Sequence, residues 1–237
     1  MPKEQRPAVP KTLDKSRKVK RVSLSEQRRS DIYTKVMEVS KSLFLTRGYD
    51  KTTTHQIADA AGILNGSLFN LFPTKEDILK AAIVQVYHEA LVEAERLLKD
   101  DEDIIITIGF PAALELYIAY QYPKITELLF RAHSSWIVVN GLVDCAMDWM
   151  DNNMGGFEST EEKEEFRLNL FLLWGCLGSL ISECYNGRPR SFDSALGSVL
   201  KVMCSLFDAH LAPEKITAVE GRLSKMFKDG IVKSCIL

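Results

Sequence analysis

The sequence predicts an all-α fold, in which a small N-terminal unit of three helices precedes a larger helical body. Apolar residues recur at spacings of three and four through most of the chain, as they do on the buried face of a helix. Gly, Pro and Asp interrupt these segments, and no stretch alternates apolar and polar residues persuasively enough to predict a strand. With 237 residues and 46% apolar content, the chain can bury one large core or two modest ones.

A basic, flexible arm is predicted over residues 1–24. Residues 1–22 hold eight Lys and Arg, two acids and three prolines, with almost nothing to bury. The excess of positive charge extends to Lys80: residues 1–80 contain sixteen Lys and Arg and nine acids, a net charge of +7. Because the whole chain has a net charge of -2, the remainder carries -9. A basic N-terminal part followed by an acidic remainder favours contact of the N-terminal part with a polyanion, although such a charge asymmetry can also serve solubility alone.

The predicted N-terminal unit, residues 25–87, begins with a helix that runs from Ser25 to Gly48. A short second helix begins at Thr53, because Thr53 and Gln56 have the spacing of a capping box. It ends near Ala61, since the following glycine can adopt the left-handed conformation.

Ala58 is small enough for the steep crossing of two helices that a helix-turn-helix requires, and Ile57, Ile63 and Leu68 supply the apolar side chains beneath it. The spacing therefore predicts a helix-turn-helix. A generic helical corner would share part of this pattern and remains an alternative.

The third short helix, roughly Asn65 to Leu71, would expose small, polar and aromatic side chains. Asn can bond adenine edges, Ser can reach a base or a phosphate, Gly permits close approach, and an aromatic ring can contact a thymine methyl. This face predicts entry into a DNA groove, while Phe69 is equally compatible with the core. The predicted DNA-binding residues are Thr53, His55, Asn65, Gly66, Ser67, Phe69, Asn70 and Lys75.

Lys75 follows Thr74, the predicted N-cap of a long helix that ends at Leu98. A cation at a helix N-terminus is unfavourable unless an anion lies nearby. A bound DNA phosphate would satisfy both the helix amides and the ammonium, whereas a solvated lysine is the alternative.

Several pieces of this segment form a specific combination. They are Gly48-Tyr49, the threonines before Ile57-Ala58, Ala61-Gly62, Gly66-Ser67-Leu68-Phe69, Phe72 and Lys75-Glu76. Together, over about residues 28–87, they resemble the DNA-binding domain of the TetR family of bacterial regulators. The resemblance implies a helix-turn-helix DNA-binding domain followed by a helical ligand-binding and dimerisation domain. It also implies double-stranded operator DNA, a second copy of the chain and a small-molecule effector as partners, with repression as the commoner outcome.

Two departures from the family pattern concern phosphate contacts. Leu64 stands where the family usually has Ser or Thr, so Asn65 is expected to take over the cap. Phe69-Asn70-Leu71 stands where the family often has Tyr-Tyr-His, which removes further phosphate ligands. The basic arm is a candidate to replace them.

Residues 88–237 are predicted to form the effector-binding and dimerisation domain. Further helices are expected over 103–120, 123–134 and 135–153, with a last one from Ala212. Two apolar stripes, 166–184 and 192–207, are broad enough to face both their own core and a second copy. Burial of both helices within one subunit is the alternative. The residues expected at the dimer interface are Phe166, Leu170, Leu173, Leu177, Leu180, Leu196, Val199 and Met203.

An aromatic and thioether-rich set in the body suggests a cavity for an apolar or amphipathic effector. The predicted pocket residues are Phe110, Tyr117, Tyr120, His133, Trp136, Met147, Trp149, Met150 and Trp174, of which His133 is equally compatible with an ordinary core position. In the family, the bound effector tilts the helix that corresponds to Thr74–Leu98 and thereby releases the operator.

Other functions find less support. The four histidines form no metal-spaced group, and the common catalytic and nucleotide-binding motifs are lacking, so neither an enzyme nor a cofactor is expected. Five cysteines without a C-x-x-C pair favour a reducing cytoplasm. The most apolar runs, 104–114 and 168–181, are shorter than the roughly 20 residues of a membrane span. A DNA-bound helical dimer controlled by a protein partner remains the alternative to an effector sensor.

Overall fold

The computed structural model describes residues 24–97, 104–153, 155–188, 191–207 and 213–229. These ranges contain ten helices and no strand, which confirms the predicted all-α class. The predicted arm lies outside them, except for Leu24, which begins the first helix. The helices are α1 Leu24–Arg47, α2 Thr54–Ala61, α3 Asn65–Phe69, α4 Lys75–Leu97, α5 Ile104–Gln121, α6 Pro123–His133, α7 Trp136–Asn153, α8 Thr160–Tyr185, α9 Phe192–Leu206 and α10 Pro213–Lys228.

Helices α1 to α3 form the N-terminal unit. Ile57 and Ala58 on α2 and Leu68 on α3 are buried together with Val36 and Phe44 of α1. Burial of these side chains stabilises the unit, because about 25 cal/mol is gained for each Å² of apolar surface removed from water.

Helix α4 leaves this unit and packs along α7 and α5. Thr74 caps it as predicted: its hydroxyl accepts a hydrogen bond from the amide of Asp77, and the carboxylate of Asp77 accepts one from the amide of Thr74. The other helices of the body (α5 to α10) surround a core in which Leu114, Leu142 and Leu177 are almost fully buried. Helix α4 is therefore the covalent connection between the N-terminal unit and the body.

Helix α8 is longer than the apolar run 168–181 that lies within it. By length and composition alone, Thr160–Tyr185 is long and apolar enough to cross a membrane. Four Glu and one Lys lie in its first turns, and it packs on α5, α6, α7 and α9 within the body. Its inner side is thus a core surface, while its outer side is exposed and apolar.

Candidate nucleic-acid interface and ligand cavity

The turn between α2 and α3 has the geometry that the sequence predicts. The hydroxyl of Thr53 accepts a hydrogen bond from the amide of Gln56 at 3.2 Å, and the side-chain carbonyl of Gln56 accepts one from the amide of Thr53 at 3.0 Å. Gly62 has φ of 65°, the left-handed conformation that lets the chain leave α2 sharply. These two caps fix where α2 begins and where α3 starts.

Helix α3 lacks a side-chain cap. Leu64 occupies the N-cap position in an extended conformation and makes no capping hydrogen bond. The expectation that Asn65 takes over the cap is wrong, because Asn65 is the first residue inside the helix. Its side-chain oxygen Oδ1 is buried and, among the described residues, has no hydrogen-bond partner.

The outer face of α3 is exposed, as a DNA-contacting face must be. The side chain of Leu64 is 80% exposed and that of Phe69 is 47% exposed, so Phe69 does not belong to the core. Gly66 and Asn70 are exposed and Ser67 is half-buried, whereas Leu68 points inward and is fully buried. The surface offers amide, hydroxyl, backbone and apolar contacts within one short helix, which are the groups that contact base edges and thymine methyls.

Two predicted residues at the start of α2 are already engaged. The hydroxyl of Thr53 belongs to the capping box. His55 is exposed and its Nδ1 lies 2.8 Å from a carboxylate oxygen of Asp59. Both side chains remain on the surface near the turn into α3.

Lys75 differs from expectation. Its ammonium donates hydrogen bonds to the carbonyl of Tyr49 at 2.8 Å and to that of Thr52 at 2.9 Å, and it lies 4.1 Å from the centre of the Tyr49 ring. Desolvation lowers the pKa of Lys75, and the charge of Asp50 opposes that shift. Backbone carbonyls therefore satisfy the cation at the start of α4, and Lys75 ties this helix to the turn between α1 and α2.

A cavity of about 140 Å³ lies where α1 of the N-terminal unit meets the body. Helix α1 contributes Lys41, Phe44 and Leu45 to its wall, and helix α6 contributes Ile125, Leu128 and Leu129. The rest of the wall comes from α4, α5 and α7, namely Ala82, Ile83, Val86, Tyr87, Ala90, Pro111, Leu114, Glu115, Ile118 and Leu142. A molecule in this cavity would touch the N-terminal unit and the body at once.

None of the nine predicted pocket residues borders this cavity. Tyr117 stacks on Phe227 of α10, Phe110 contacts the same ring at a tilt, and Tyr120 lies edge-on to Phe192 of α9. These contacts place the three rings in the packing between α5, α9 and α10.

The other predicted pocket residues also have different surroundings. Met147, Trp149 and Trp174 are buried core residues and Met150 is half-buried. Trp136 is 68% exposed and lies flat on the ring of Phe171. The predicted pocket was based on aromatic and sulfur-containing side chains, whereas the wall of the observed cavity is mainly aliphatic.

His133 lies next to the cavity wall in a buried polar cluster. Its Nε2 is 2.9 Å from Oε1 of Glu115, which lines the cavity, and its Nδ1 is 3.3 Å from the carbonyl oxygen of Trp174. Desolvation alone would lower the pKa of His133, but the charge of Glu115 and the hydrogen bonds to Glu115 and to the Trp174 carbonyl raise it overall. The cluster is therefore a buried histidine–carboxyl contact that joins α5, α6 and α8.

Most of the predicted dimer residues face the core of their own subunit. Leu170, Leu173, Leu177, Leu196, Val199 and Met203 are at most 1% exposed, while Phe166 and Leu180 are half-buried. Gly178 on α8 also faces inward and packs on His133: an added Cβ would lie 3.2 Å from that side chain. The stripes are as broad as the sequence predicts, but the residues expected at the interface belong to their inward half.

The outward half of these stripes is a different set of residues. Leu168 is 58% and Leu172 is 51% exposed on α8, where the exposed Gly175 and Ser179 continue the same face. On α9, Ser194, Ser198, Lys201 and Ser205 are exposed at helical spacing. An apolar ridge on α8 thus lies beside a row of mostly small side chains on α9.

The N-terminal unit is similar in sequence to known repressors. Residues 36–82 match the family model described as "Bacterial regulatory proteins, tetR family". The chain is 46% identical over 46 residues to the HTH-type transcriptional repressor KstR2 of Rhodococcus jostii strain RHA1, which is 19% of this chain and 22% of that protein. It is 43% identical over 44 residues to KstR2 of Mycobacterium tuberculosis strain H37Rv, again 19% and 22%. The chain spans about a fifth of the length of these curated relatives.

Solved structures cover more of the chain at lower identity. A TetR transcriptional regulator from Rhodococcus sp. RHA1 has a TM-score of 0.57 at 19% identity and covers 79% of this chain and 100% of its own. Thermus thermophilus FadR, a TetR-family repressor solved with lauroyl-CoA, has a TM-score of 0.54 at 21% identity, covering 78% and 96%. At these identities the likeness concerns the fold.

Fold and turn geometry together define a helix-turn-helix protein with an all-helical body. Its N-terminal unit has both the motif and the family match, and the body has the family's fold. Residues 36–82 thus belong to the helix-turn-helix domain that the TetR family model describes, and the helical body shares its fold with solved TetR-family regulators.

Proposed function

We propose that this protein is a ligand-responsive transcriptional regulator of the repressor type, which binds a palindromic operator as a homodimer in the cytoplasm. The observation that supports this most is the exposed outer face of α3, held at a fixed position by the capping box at Thr53 and the left-handed Gly62. On this face the exposed apolar side chains of Leu64 and Phe69 lie among exposed polar and backbone groups, a combination that suits base edges and thymine methyl groups.

The outer face of α3 carries the proposed base contacts. The side-chain amide of Asn70 can bond an adenine edge, and Leu64 and Phe69 can pack on thymine methyl groups. Gly66 has no atom within 4 Å of an added Cβ, so it leaves the backbone open to close approach. Thr53, His55, Asn65 and Ser67 are proposed to position the unit on the phosphates. Lys75 acts indirectly, by holding the turn between α1 and α2 against α4.

Dimerisation is proposed through the outer faces of α8 and α9. Leu168 and Leu172 would pack into the row of small residues on α9 of the second copy, with Gly175 allowing close approach. To enter successive major grooves, this symmetric dimer would have to hold its two copies of α3 about 34 to 36 Å apart.

The effector site is proposed at the junction cavity rather than among the aromatic residues of the body. Because Lys41, Phe44 and Leu45 of α1 form part of its wall, a ligand can displace the N-terminal unit directly as well as through α4. Thermus thermophilus FadR was solved with lauroyl-CoA and RolR with resorcinol, which supports a small-molecule effector for this fold. Near-complete release of operator needs about 5.5 kcal/mol of differential binding between the two states.

Selection of bound fragments from sheared genomic DNA, followed by gel-shift titration, tests the DNA-binding part. Asn70→Ala should weaken binding to the selected sequence about 5- to 100-fold, as expected when one bidentate base contact is removed. Asn152→Ala, which removes an exposed amide on α7 far along the chain, is the matched control and should change nothing. Binding no tighter than to random duplex at moderate salt would exclude the proposal.

Control by a protein partner is the competing mechanism, and a thermal-shift screen separates the two. A compound that raises the melting temperature and weakens operator binding supports the effector mechanism. The alternative is favoured if no compound in a diverse screen raises the melting temperature and if the operator-bound complex changes only when a second protein is added.

A further inference from the structure

Three residues interrupt the otherwise apolar wall of the junction cavity. Lys41, Tyr87 and Glu115 are the lining residues with polar side-chain groups. The ammonium of Lys41 already donates to the side-chain carbonyl of Gln85 at 3.2 Å. That bond of Lys41 is exposed, whereas Tyr87 is 7% exposed and the Glu115 side chain 12%, so Tyr87 and Glu115 supply the polar groups of the buried part of the wall.

Glu115 supplies a hydrogen-bond acceptor. Both ring nitrogens of His133 face oxygen atoms, Oε1 of Glu115 and the carbonyl of Trp174, and a protonated ring donates a hydrogen bond to each of them. In this arrangement Oε1 of Glu115 accepts the hydrogen bond from His133. Among the described residues, no donor is hydrogen-bonded to the second oxygen, Oε2.

Tyr87 supplies a hydrogen-bond donor near Glu115: its ring packs on Trp174, whose carbonyl contacts His133, the partner of Glu115. Its side chain is only 7% exposed, and its ring lies edge-on to Trp174 with the ring centres 5.1 Å apart. Burial raises the pKa of Tyr87, and the charges of Cys145 and Glu115 raise it further, so the phenol keeps its proton. No hydrogen bond of this hydroxyl to another described residue is present in the structure, so the donor stays available to a ligand.

We propose that this part of the cavity binds the hydroxyl group of an uncharged phenol or alcohol, which donates to Oε2 of Glu115 and accepts from the hydroxyl of Tyr87. The inference rests on the proposed effector function of the cavity and specifies the chemistry of its ligand. A single hydroxyl is both donor and acceptor, so it satisfies both groups. A carboxylate would meet the charge of Glu115, an ammonium could not accept from Tyr87, and a plain hydrocarbon would leave both groups unpaired.

The size of the cavity limits the enclosed part of this ligand. An apolar cavity of about 150 Å³ accommodates benzene, and the volume here is about 140 Å³. A six-membered ring with one hydroxyl fits the interior, while a larger ligand must extend towards α1 and Lys41.

Calorimetric titration of the full-length protein with phenol, toluene and benzoate tests this assignment. Phenol should bind about tenfold more tightly than toluene, and benzoate should bind more weakly than both. Tyr87→Phe keeps the ring against Trp174 and should weaken phenol binding about 2- to 10-fold while toluene changes less than twofold. Tyr122→Phe, an exposed tyrosine away from the cavity, is the matched control. Glu115→Gln should weaken phenol binding about tenfold or more.

Different results separate this inference from the proposed function. If toluene binds as tightly as phenol, or if Tyr87→Phe leaves phenol binding unchanged, the hydroxyl assignment is overturned while the cavity remains an effector site. If none of the three compounds binds, the assignment is also overturned, and operator binding by α3 stands on its own gel-shift test.

Discussion

The guanidinium of Arg131 on α6 donates a hydrogen bond at 2.5 Å to the carboxylate of Asp50 in the turn between α1 and α2. On the other side of this turn, the ammonium of Lys75 bonds the carbonyls of Tyr49 and Thr52. The turn is thus held both by the connecting helix α4 and by the body. Since α6 also lines the cavity, a ligand there would act on a helix that contacts the DNA-binding unit directly.

Removal of the Arg131–Asp50 pair should loosen the turn without unfolding the protein. Both partners are partly exposed, so Arg131→Ala should lower the free energy of unfolding by less than about 1 kcal/mol. Amide hydrogen exchange over residues 48–52 should nevertheless accelerate, because the turn opens locally more often. Lys163→Ala, which removes the exposed pair with Asp151 on α7, should leave that exchange unchanged. Equal exchange rates in both variants would contradict the role given to Arg131.

The buried pair of His133 and Glu115 should make stability depend on pH. The pKa of His133 is raised above its ordinary value of 6.5, so its contribution is fully present below about pH 6.5 and is lost as pH rises through the folded-state pKa. Urea unfolding between pH 6 and 9 should show a free energy of unfolding that falls with pH, by at most about 1.4 kcal/mol per unit.

His133→Gln should remove this component of the pH dependence while still donating a hydrogen bond to Glu115. Glu115→Gln should remove it too, because the neutral amide no longer favours the imidazolium. A wild-type slope in both variants would show that another group titrates.

The helix-turn-helix could be predicted from local patterns in the sequence. Thr53, Gln56 and Gly62 act through contacts with residues at most four positions away, so their spacing alone predicts the caps that the structure has. The same holds for Thr74, whose partner is Asp77. The hydrogen bonds of Lys75 could not be predicted from local spacing, because its partners lie 23 and 26 residues earlier in the chain.

The direction in which each apolar residue faces, and the position of the cavity, depend on how the helices pack together. Periodicity shows that α8 has a wide apolar stripe, but not that Leu170 faces its own core while Leu172 faces outward. The cavity arises because α1, α4 and α6 do not fully fill the space between them, and aliphatic residues such as Leu45 and Ile125 look the same in a wall as in a core.

The outer face of α8 should carry dimerisation. Leu172→Glu places a charge at the centre of the proposed interface and should convert a dimer into a monomer, measured by light scattering at micromolar concentration. Because Leu172 is half exposed, the fold should be retained. Val92→Glu introduces the same charge at an equally exposed position on α4 and should remain dimeric. A dimeric Leu172→Glu protein would place the interface elsewhere.

A side-chain cap at the start of α3 should increase the stability of the protein. Leu64→Ser puts a hydroxyl at an N-cap that now has no side-chain hydrogen bond, and it should raise the free energy of unfolding by about 0.5–1 kcal/mol in chemical denaturation. Leu64→Ala removes the same exposed apolar side chain without adding a cap, so it separates capping from removal of a surface leucine. No difference in stability between the two variants would show that α3 does not use a side-chain cap.

The basic arm should bind DNA phosphates. Deletion of residues 1–21, which hold eight Lys and Arg and two acids, should weaken operator binding and flatten its salt dependence. The slope should fall by about 0.9 log units per log salt for each phosphate that the arm neutralises. Gel-shift titrations over a roughly fourfold range of salt, starting at about 50 mM, measure this slope.

Replacing the eight basic residues of the arm by Gln keeps its length and is the matched control for the deletion. This variant should flatten the salt dependence as much as the deletion does, because counterion release depends on the charge of the arm and not on its length. An unchanged slope in both proteins would mean that the phosphates are bound by the N-terminal unit alone.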